Sequence, residues 1–425
     1  MSTNTPIEKS FAESSALAAQ TCVRGFRFAG IASGIKASGF LDLGLIVADG
    51  PSPCAALFTR NLVRAHPVKI AEERVLKKNV VAFLVNSGNA NCCNGSAGYS
   101  AALETTSALA EFLGCEAEQV LPASTGVIGQ ALPADRITQA LPQLIENLGE
   151  ESAFEFAQAI MTTDRYPKVF RTTVEKNGKT ATVLAIGKGA GMFHPDLSPA
   201  GELPLADEDA LQGLHATMLV YIVTDALCDQ NDLEAALEIS ADKTFNAATV
   251  DGDTSTNDSV FLMASGASEV RLDADELRQA LEEACGPLAR SMVLDGEGAE
   301  HAADITVSGL GNDAEARDIA RVVATSPLVK TAMAGKDANW GRLLMAAGRA
   351  GVSFNPEKAS VFVGEICICR DGVPTTEEDD RAASAVMQSR EYEIRLVLGK
   401  GPGSFTYVTS DLGHQYIDVN AGYRS

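Results

Sequence analysis

His215-Ala216-Thr217-Met218-Leu219-Val220-Tyr221-Ile222-Val223-Thr224-Asp225-Ala226 is the stretch from which the rest of the chain can be read. Its apolar run, Met218–Val223, is strand-sized and too short to span a bilayer. On residues alone, Thr217 is an ordinary threonine at the start of that strand. The segment just before it is different in kind. Ser198 to His215 holds Pro199, Pro204, Gly201 and Gly213, with the carboxylates Glu202, Asp207, Glu208 and Asp209 and neither Lys nor Arg. It reads as an exposed loop and as the boundary between two lobes. Asp207 can cap one or two helical turns in its second half, Asp207–Leu214.

Outward from this point, strands and helices mix throughout. Val80–Val85 predicts a buried strand that empties into a turn-rich loop, Asn86-Ser87-Gly88-Asn89-Ala90-Asn91. A helix is expected over Tyr99–Leu113, and a short strand over Gln119–Pro122 feeds Ser124-Thr125-Gly126. Two more helices are expected near Asp135–Leu148, interrupted by Pro142, and Ser152–Met161. Arg171–Gly187 predicts a hairpin, because alternating Val174, Thr180, Thr182 and Leu184 flank Asn177-Gly178, a type I′ turn signal. Beyond the apolar run, helices are expected over Leu233–Ala247, Asp273–Ala284 and Ala314–Ala324. Strands are expected over Ser360–Cys369, Tyr392–Leu398 and Phe405–Val408.

The chain's 425 residues exceed one ordinary core, which predicts two lobes or domains. Fifty-six acidic against 34 basic residues give a net charge of −22, which excludes a binder of nucleic-acid backbones. Met1–Gln20 shows no uninterrupted apolar segment, so the expectation is a cytoplasmic protein without a secretory signal or membrane span. Nine cysteines include Cys92-Cys93 and Cys367-x-Cys369 but no CxxC, and read as reduced, packed thiols. Five histidines, at 66, 194, 215, 301 and 414, form no HExxH and no Cys/His cluster, so no metal site is expected. Gly187-Lys188-Gly189-Ala190-Gly191 lacks the lysine placement and following hydroxyl of a P-loop. Asp251–Asp258 has the wrong spacing for a calcium loop and reads as a turn whose side chains bond local backbone. Hydroxyls, amines, carboxylates and backbone amides are left to carry any chemistry.

Taken together, these segments resemble the ornithine acetyltransferase family, the bifunctional glutamate N-acetyltransferases of arginine biosynthesis. The resemblance covers nearly the whole chain. It runs through Gly34-Ile35-Lys36, Asn86–Asn91, Ser124–Gly129, Met161-Thr162-Thr163-Asp164, Lys188–Met192, His215–Ala226, Val250–Asp258, Asp295–Ala299, Asp337–Arg342 and Asn420–Ser425. It implies an α/β chain of N-terminal-nucleophile-like, α/β/β/α layered fold that cleaves itself at Ala216–Thr217. The products are an α chain, 1–216, and a β chain, 217–425, assembled as α2β2. A threonine hydroxyl attacks the preceding carbonyl, and the new terminal α-amine, with a pKa of about 8, then serves as base. No histidine is required.

By the same resemblance Thr217 is the nucleophile, and Thr125 with Gly126 forms the oxyanion hole, where each donor contributes about 3 to 4 kcal/mol. Thr162, Lys188, Thr217, Glu297, Asn420 and Ser425 bind substrate. The expected reaction moves acetyl from N2-acetylornithine to glutamate through an acetyl-threonine, without a cofactor, and acetyl-CoA stays open as a further donor. From charge, Lys188 is read as partner of the substrate α-carboxylate and Glu297 of its ammonium. Two other readings stay open: a self-cleaving amidohydrolase or aminopeptidase, and an uncleaved homologue that only binds amino acids. The chain departs from the family pattern in two places. Ser198–His215 lengthens the approach to the cleavage pair, and Glu300-His301 stands where the family has Thr-Lys.

Overall fold

A computed structural model describes residues 21–201 and 217–422. They form two compact units, one comprising residues up to 246 together with 254–292, the other residues 247–253 and 293–424. The units therefore do not part at Ser198–His215, as the sequence suggested. The apolar run after Thr217 lies inside the first unit's larger sheet, so the chain on either side of that segment shares one core. Of the segment itself, Ser198 and Pro199 belong to a short strand. Most of the rest lies outside the described residues, as do Met1–Gln20, Ala216 and Ser425.

The first unit contains two sheets. In one, β1 (Phe26–Ile31), β2 (Leu43–Ser52), β4 (Val80–Asn89) and β5 (Val120–Val127) lie in the order β1-β2-β4-β5. The other has the order β6-β7-β9-β11-β3-β8, from β6 (Lys168–Lys176), β7 (Lys179–Lys188), β9 (Leu219–Thr224), β11 (Ser259–Ala264), β3 (Cys54–Thr59) and β8 (Leu197–Pro199). Phe28, Ile46, Phe83 and Val85 of the smaller sheet share a core with Leu184, Ile186, Tyr221 and Phe261 of the larger. The Phe83 ring lies 5.4 Å from that of Tyr221 and 5.0 Å from that of Phe261. Burying a side chain of this size contributes about 2 to 3 kcal/mol.

Helices Gly95–Leu113 and Ala134–Glu146 cover the far side of the smaller sheet, with Leu109, Ile137, Leu141 and Leu144 packed on Leu43, Leu45 and Leu84. On the larger sheet, helix Gln230–Lys243 packs on β3, and Leu288 and Met292 of helix Ala274–Leu294 pack at Gly187 of β7. Helix, sheet, sheet and helix follow one another, the α/β/β/α layering implied by the resemblance.

The second unit is a seven-stranded sheet of order β10-β17-β12-β16-β13-β14-β15. Its strands are β10 (Ala248–Thr249), β12 (Ala302–Leu310), β13 (Ser360–Val363), β14 (Ile366–Arg370), β15 (Val373–Pro374), β16 (Glu391–Val397) and β17 (Gly403–Ser410). Helices Asp313–Ala324, Pro327–Ala334, Trp340–Gly348 and Glu377–Val386 complete its core.

The hairpin β6–β7 turns at Asn177 (φ 54°) and Gly178 (φ 74°), as the sequence predicted. Four local expectations are corrected. Asn86–Asn89 is no loop but the end of β4, paired with Ser124–Val127, because β5 supplies the backbone partners. Ser360–Cys369 is two strands, folded back at Gly364 with φ 55°. Pro142 sits inside a continuous helix on an exposed position, where water can serve the carbonyl that the missing N–H leaves free. Ser198 and Pro199 extend the sheet edge, where proline's lack of an N–H is tolerated.

Helix Ala153–Ile160 seats directly on β1, since a Cβ built at Gly30 lies 2.0 Å from the Glu155 carbonyl oxygen. Backbone cannot give way as a flexible side chain does. Gly30→Ala is expected to destabilise the protein by about 2 kcal/mol or more, read as a lower urea midpoint with unchanged slope.

Candidate active site

Sheet pairing carries three separate pieces of chain to one place. Lys188, the last residue of β7, is paired with Leu219 at the start of antiparallel β9. β11 runs parallel to β9 with Ser259 opposite Leu219, so the residues preceding the two strands emerge at the same end. Thr217 and the polar run Ser255–Asp258 are therefore neighbours.

Lys188 is fully buried. Its Nζ donates to the Thr217 carbonyl oxygen at 2.7 Å, to Thr162 Oγ1 at 2.8 Å and to Thr125 Oγ1 at 3.2 Å. Asp164 Oδ2 lies 3.9 Å away, and Asp164 Oδ1 takes hydrogen bonds from Lys168 Nζ and the Gly189 N–H, both at 2.8 Å. Burial alone would raise the Asp164 pKa, but Lys168, Lys188 and the Gly189 amide outweigh it and hold the carboxyl well below the usual range. Lys36 belongs to the same cluster. Its Nζ donates to the carbonyls of Leu41 and Met161, and burial lowers it to about 8, with Asp42 opposing and Lys188 adding to the shift.

Thr125 stands opposite Ser87 and Gly126 opposite Gly88 in the paired β4 and β5. Gly126 has φ 129°, and a Cβ there would lie 2.4 Å from the Gly88 carbonyl carbon. Only glycine fits, which brings this backbone as close as two chains come.

On its other side, Thr217 Oγ1 lies 2.9 Å from Ser255 Oγ. Asp258 accepts from the Met218 N–H at 2.8 Å and from the Ser255 N–H at 3.3 Å. Asn257 Nδ2 donates to the carbonyls of Ala90 at 2.8 Å and Ser124 at 2.9 Å, tying the run to the strand that bears Thr125. Burial pushes the Asp258 carboxyl up to about 7 against the opposing backbone amides, Lys188 and Ser255. The expected local bonding of residues 251–258 is present, with Asp253 N–H on Asp251 and Ser255 N–H on Asp258. Local bonding is only half of what the segment does. Sequence reasoning passed over Ser255 and Asp258 as members of the site, and the usable signal was a polar run set directly before a second buried strand.

Thr125, Gly126, Thr162, Lys188 and Thr217 thus belong to the first unit, and the Thr125 and Thr162 hydroxyls and the Thr217 carbonyl meet at the Lys188 ammonium. Glu297 and Asn420 belong to the second unit, where Asn420 Nδ2 donates to Glu297 Oε2 at 3.0 Å and to the Tyr416 carbonyl. Gly298 (φ 72°) keeps this pair close, since a Cβ there would lie 2.3 Å from the Tyr416 nitrogen. Among the described residues no His/Cys/Asp/Glu group is arranged to hold a metal ion, and no helix is long and apolar enough to cross a membrane.

Residues 27–425 match the ArgJ family. The chain belongs to that family. It is 41% identical over 409 residues to the arginine biosynthesis bifunctional protein ArgJ of Geobacter sulfurreducens, covering 95% of this chain and all of the relative. The ArgJ protein of Pseudomonas fluorescens is 41% identical over 412 residues, covering 95% of this chain and 97% of its own. A solved ArgJ structure from Bacillus halodurans is 38% identical, covering 48% of this chain and 98% of its own, with a TM-score of 0.46. The two residues of Glu300-His301 stand in different surroundings. His301 is buried, with Nδ1 3.1 Å from Asp411 Oδ2, whereas Glu300 is exposed.

Asp258 makes a pH prediction. An acid with a raised folded pKa keeps its proton in the native state where the unfolded chain has lost it. Stability therefore falls as pH rises from about 4 to about 7 and levels off above. Asp258→Asn is expected to gain stability relative to the parent between pH 5 and pH 8, by on the order of 1 kcal/mol or more, in urea titrations at both pH values.

Proposed function

We propose that this ArgJ-family enzyme, an acyltransferase of arginine biosynthesis, is self-processing and moves acetyl from N2-acetyl-L-ornithine to L-glutamate through acetyl-Thr217. The observation that carries this reading is the seat of Thr217. Its carbonyl and its hydroxyl are both held, by Lys188 and Ser255, and the same Lys188 holds Thr125.

On this reading the Ala216–Thr217 bond breaks first, giving chains 1–216 and 217–425. The freed amine of Thr217 then takes its hydroxyl proton as Oγ attacks the acetyl carbonyl carbon. Thr125 and Gly126 stabilise the oxyanion. The carbon–nitrogen bond breaks, ornithine leaves with the proton, and acetyl stays on Thr217. Glutamate's amine attacks next, N-acetylglutamate departs, and the hydroxyl is restored. Both substrates present an α-carboxylate to the Lys188 cluster, where a carboxylate must displace a contact that Lys188 makes to a threonine. The proposal keeps Glu297, Asn420 and Ser425 as substrate-binding residues, with Glu297 read from its charge as a partner of the ammonium. The proposal extends to an α2β2 assembly of the cleaved chains, a cytoplasmic location and acetyl-CoA as an additional donor.

Thr217→Ala is expected to stay one chain near 44.5 kDa on a denaturing gel and to lose acetyl transfer, because both steps use one hydroxyl. Two chains in that variant would place the nucleophile elsewhere. Incubating the parent enzyme with N-acetylornithine should release ornithine steadily only when glutamate is present, and steady release without it would identify a hydrolase.

A further inference from the structure

In the uncleaved chain the Thr217 nitrogen is an amide, without a basic lone pair. The amine that serves acetyl transfer does not exist when the chain first has to break, so another group must take the hydroxyl proton in that step. The neighbour in position is Ser255, whose Oγ is 2.9 Å from Thr217 Oγ1. Ser255 and Asp258 are both fully buried. The Asp258 carboxylate accepts from the Ser255 N–H at 3.3 Å and from the Met218 N–H at 2.8 Å, which sets it beside the Ser255 side chain. It is thereby fastened to the residues on both sides of the transfer. The Ser255 Oγ also accepts from the Asn257 N–H at 3.1 Å, which leaves its own proton to be directed elsewhere.

We propose that Ser255 and Asp258 are the proton relay of self-cleavage. The proposal rests on Thr217 as nucleophile and on Ala216–Thr217 as the broken bond. As Thr217 Oγ forms its bond to the Ala216 carbonyl carbon, its proton passes to Ser255 Oγ, and the Ser255 proton passes to the Asp258 carboxylate. When the carbon–nitrogen bond breaks, the proton returns by the same path to the departing nitrogen. The ester that remains between Ala216 and Thr217 Oγ is hydrolysed by water, giving a carboxylate at 216 and a free hydroxyl and amine at 217. Ser255 touches the reacting oxygen and is catalytic in this step, whereas Asp258 acts through it.

The surroundings suit the task. Burial brings the Asp258 carboxyl to about 7, close to the basicity of an imidazole, so it can hold and return a proton near neutrality. The charged group acting on it is Lys188 of β7. Lys188 is itself offset by Asp164, which also faces Lys168, with Lys36 beyond. Met218 ahead of β9 meets the carboxylate with an uncharged backbone amide, and Thr59 of β3 donates its N–H to the Asp258 backbone carbonyl.

The test follows two-chain formation on denaturing gels in freshly translated full-length chain, between about pH 5 and pH 9. The parent rate should rise with pH through a midpoint near 7, since only ionised Asp258 accepts a proton. Ser255→Ala should slow cleavage at least ten-fold without lowering the melting temperature to match. Ser255→Thr, which restores a hydroxyl, should recover most of the rate. Asp258→Asn should be slow and without the pH step, and if it fails to fold the serine pair decides alone. Parent-like cleavage in Ser255→Ala overturns the relay, and so does a rate that is flat across pH 7. Thr217→Ala separates the two readings. If it stays whole while Ser255→Ala cleaves normally, the relay alone is wrong, and if it is cut, nucleophile and relay fall together.

Discussion

The buried ammonium of Lys188 is the constraint on which the first unit's arrangement depends. A charge taken out of water costs several kcal/mol unless hydrogen bonds and an opposite charge replace its hydration. Here the replacements come from four places: the start of β9, the end of β5, the Thr162 turn and Asp164. The ammonium therefore ties the smaller sheet to the larger one at the position where Thr217 stands. Its flanking glycines let neighbouring side chains pack close to it. A Cβ at Gly187 would lie 2.4 Å from Met292 Cε, and one at Gly189 would lie 3.0 Å from the Phe193 ring. Water excluded from this corner cannot compete with the hydrogen bonds there, which makes each of them stronger.

Register does the rest. A buried strand fixes its side chains to alternate faces, so a one-residue slip of β9 against β7 would turn Thr217 away from Lys188 or Ser255. Six consecutive fully buried residues in β9, packed by Phe83 and Phe261 around Tyr221, resist that slip. The hydrophobic core thus fixes where the polar atoms of the site stand.

Much of this was legible in the sequence, for identifiable reasons. The apolar runs at 80–85 and 218–223 and the Asn177-Gly178 turn carry their structure locally, and all three stand where expected. Thr125, Thr162, Lys188 and Thr217 were named through a family likeness that local pattern alone did not supply. Ser255 and Asp258 were passed over because their role arises from parallel pairing of β9 and β11, some forty residues apart, and parallel pairing leaves no local signature. The same cause defeated the lobe boundary at Ser198–His215. Proline, glycine and unpaired carboxylates mark a loop, but they do not reveal that the chain on either side returns to one sheet. Charge suggested a substrate carboxylate for Lys188, and only the geometry shows how many threonine contacts the ammonium already makes.

Two buried carboxylates beside Lys188 and Thr217 show how a site short of histidine can still separate its charges. Asp164 and Asp258 are both buried, and burial pushes both toward the neutral acid. Asp164 lies between Lys168 and Lys188, whose combined charge reverses the effect and keeps it an anion. Asp258 feels Lys188 only at longer range and is held chiefly by backbone amides, so burial prevails and its carboxyl stays near neutrality. One carboxylate is a fixed counter-charge, and the other can exchange a proton at the pH of a cell. Pairs of like groups driven apart by their surroundings are how acid–base roles are assigned in enzymes. Here the division follows from where two lysines are placed. Moving a single cation toward Asp258 would lower its pKa and leave the Ser255–Thr217 hydroxyl pair without a base.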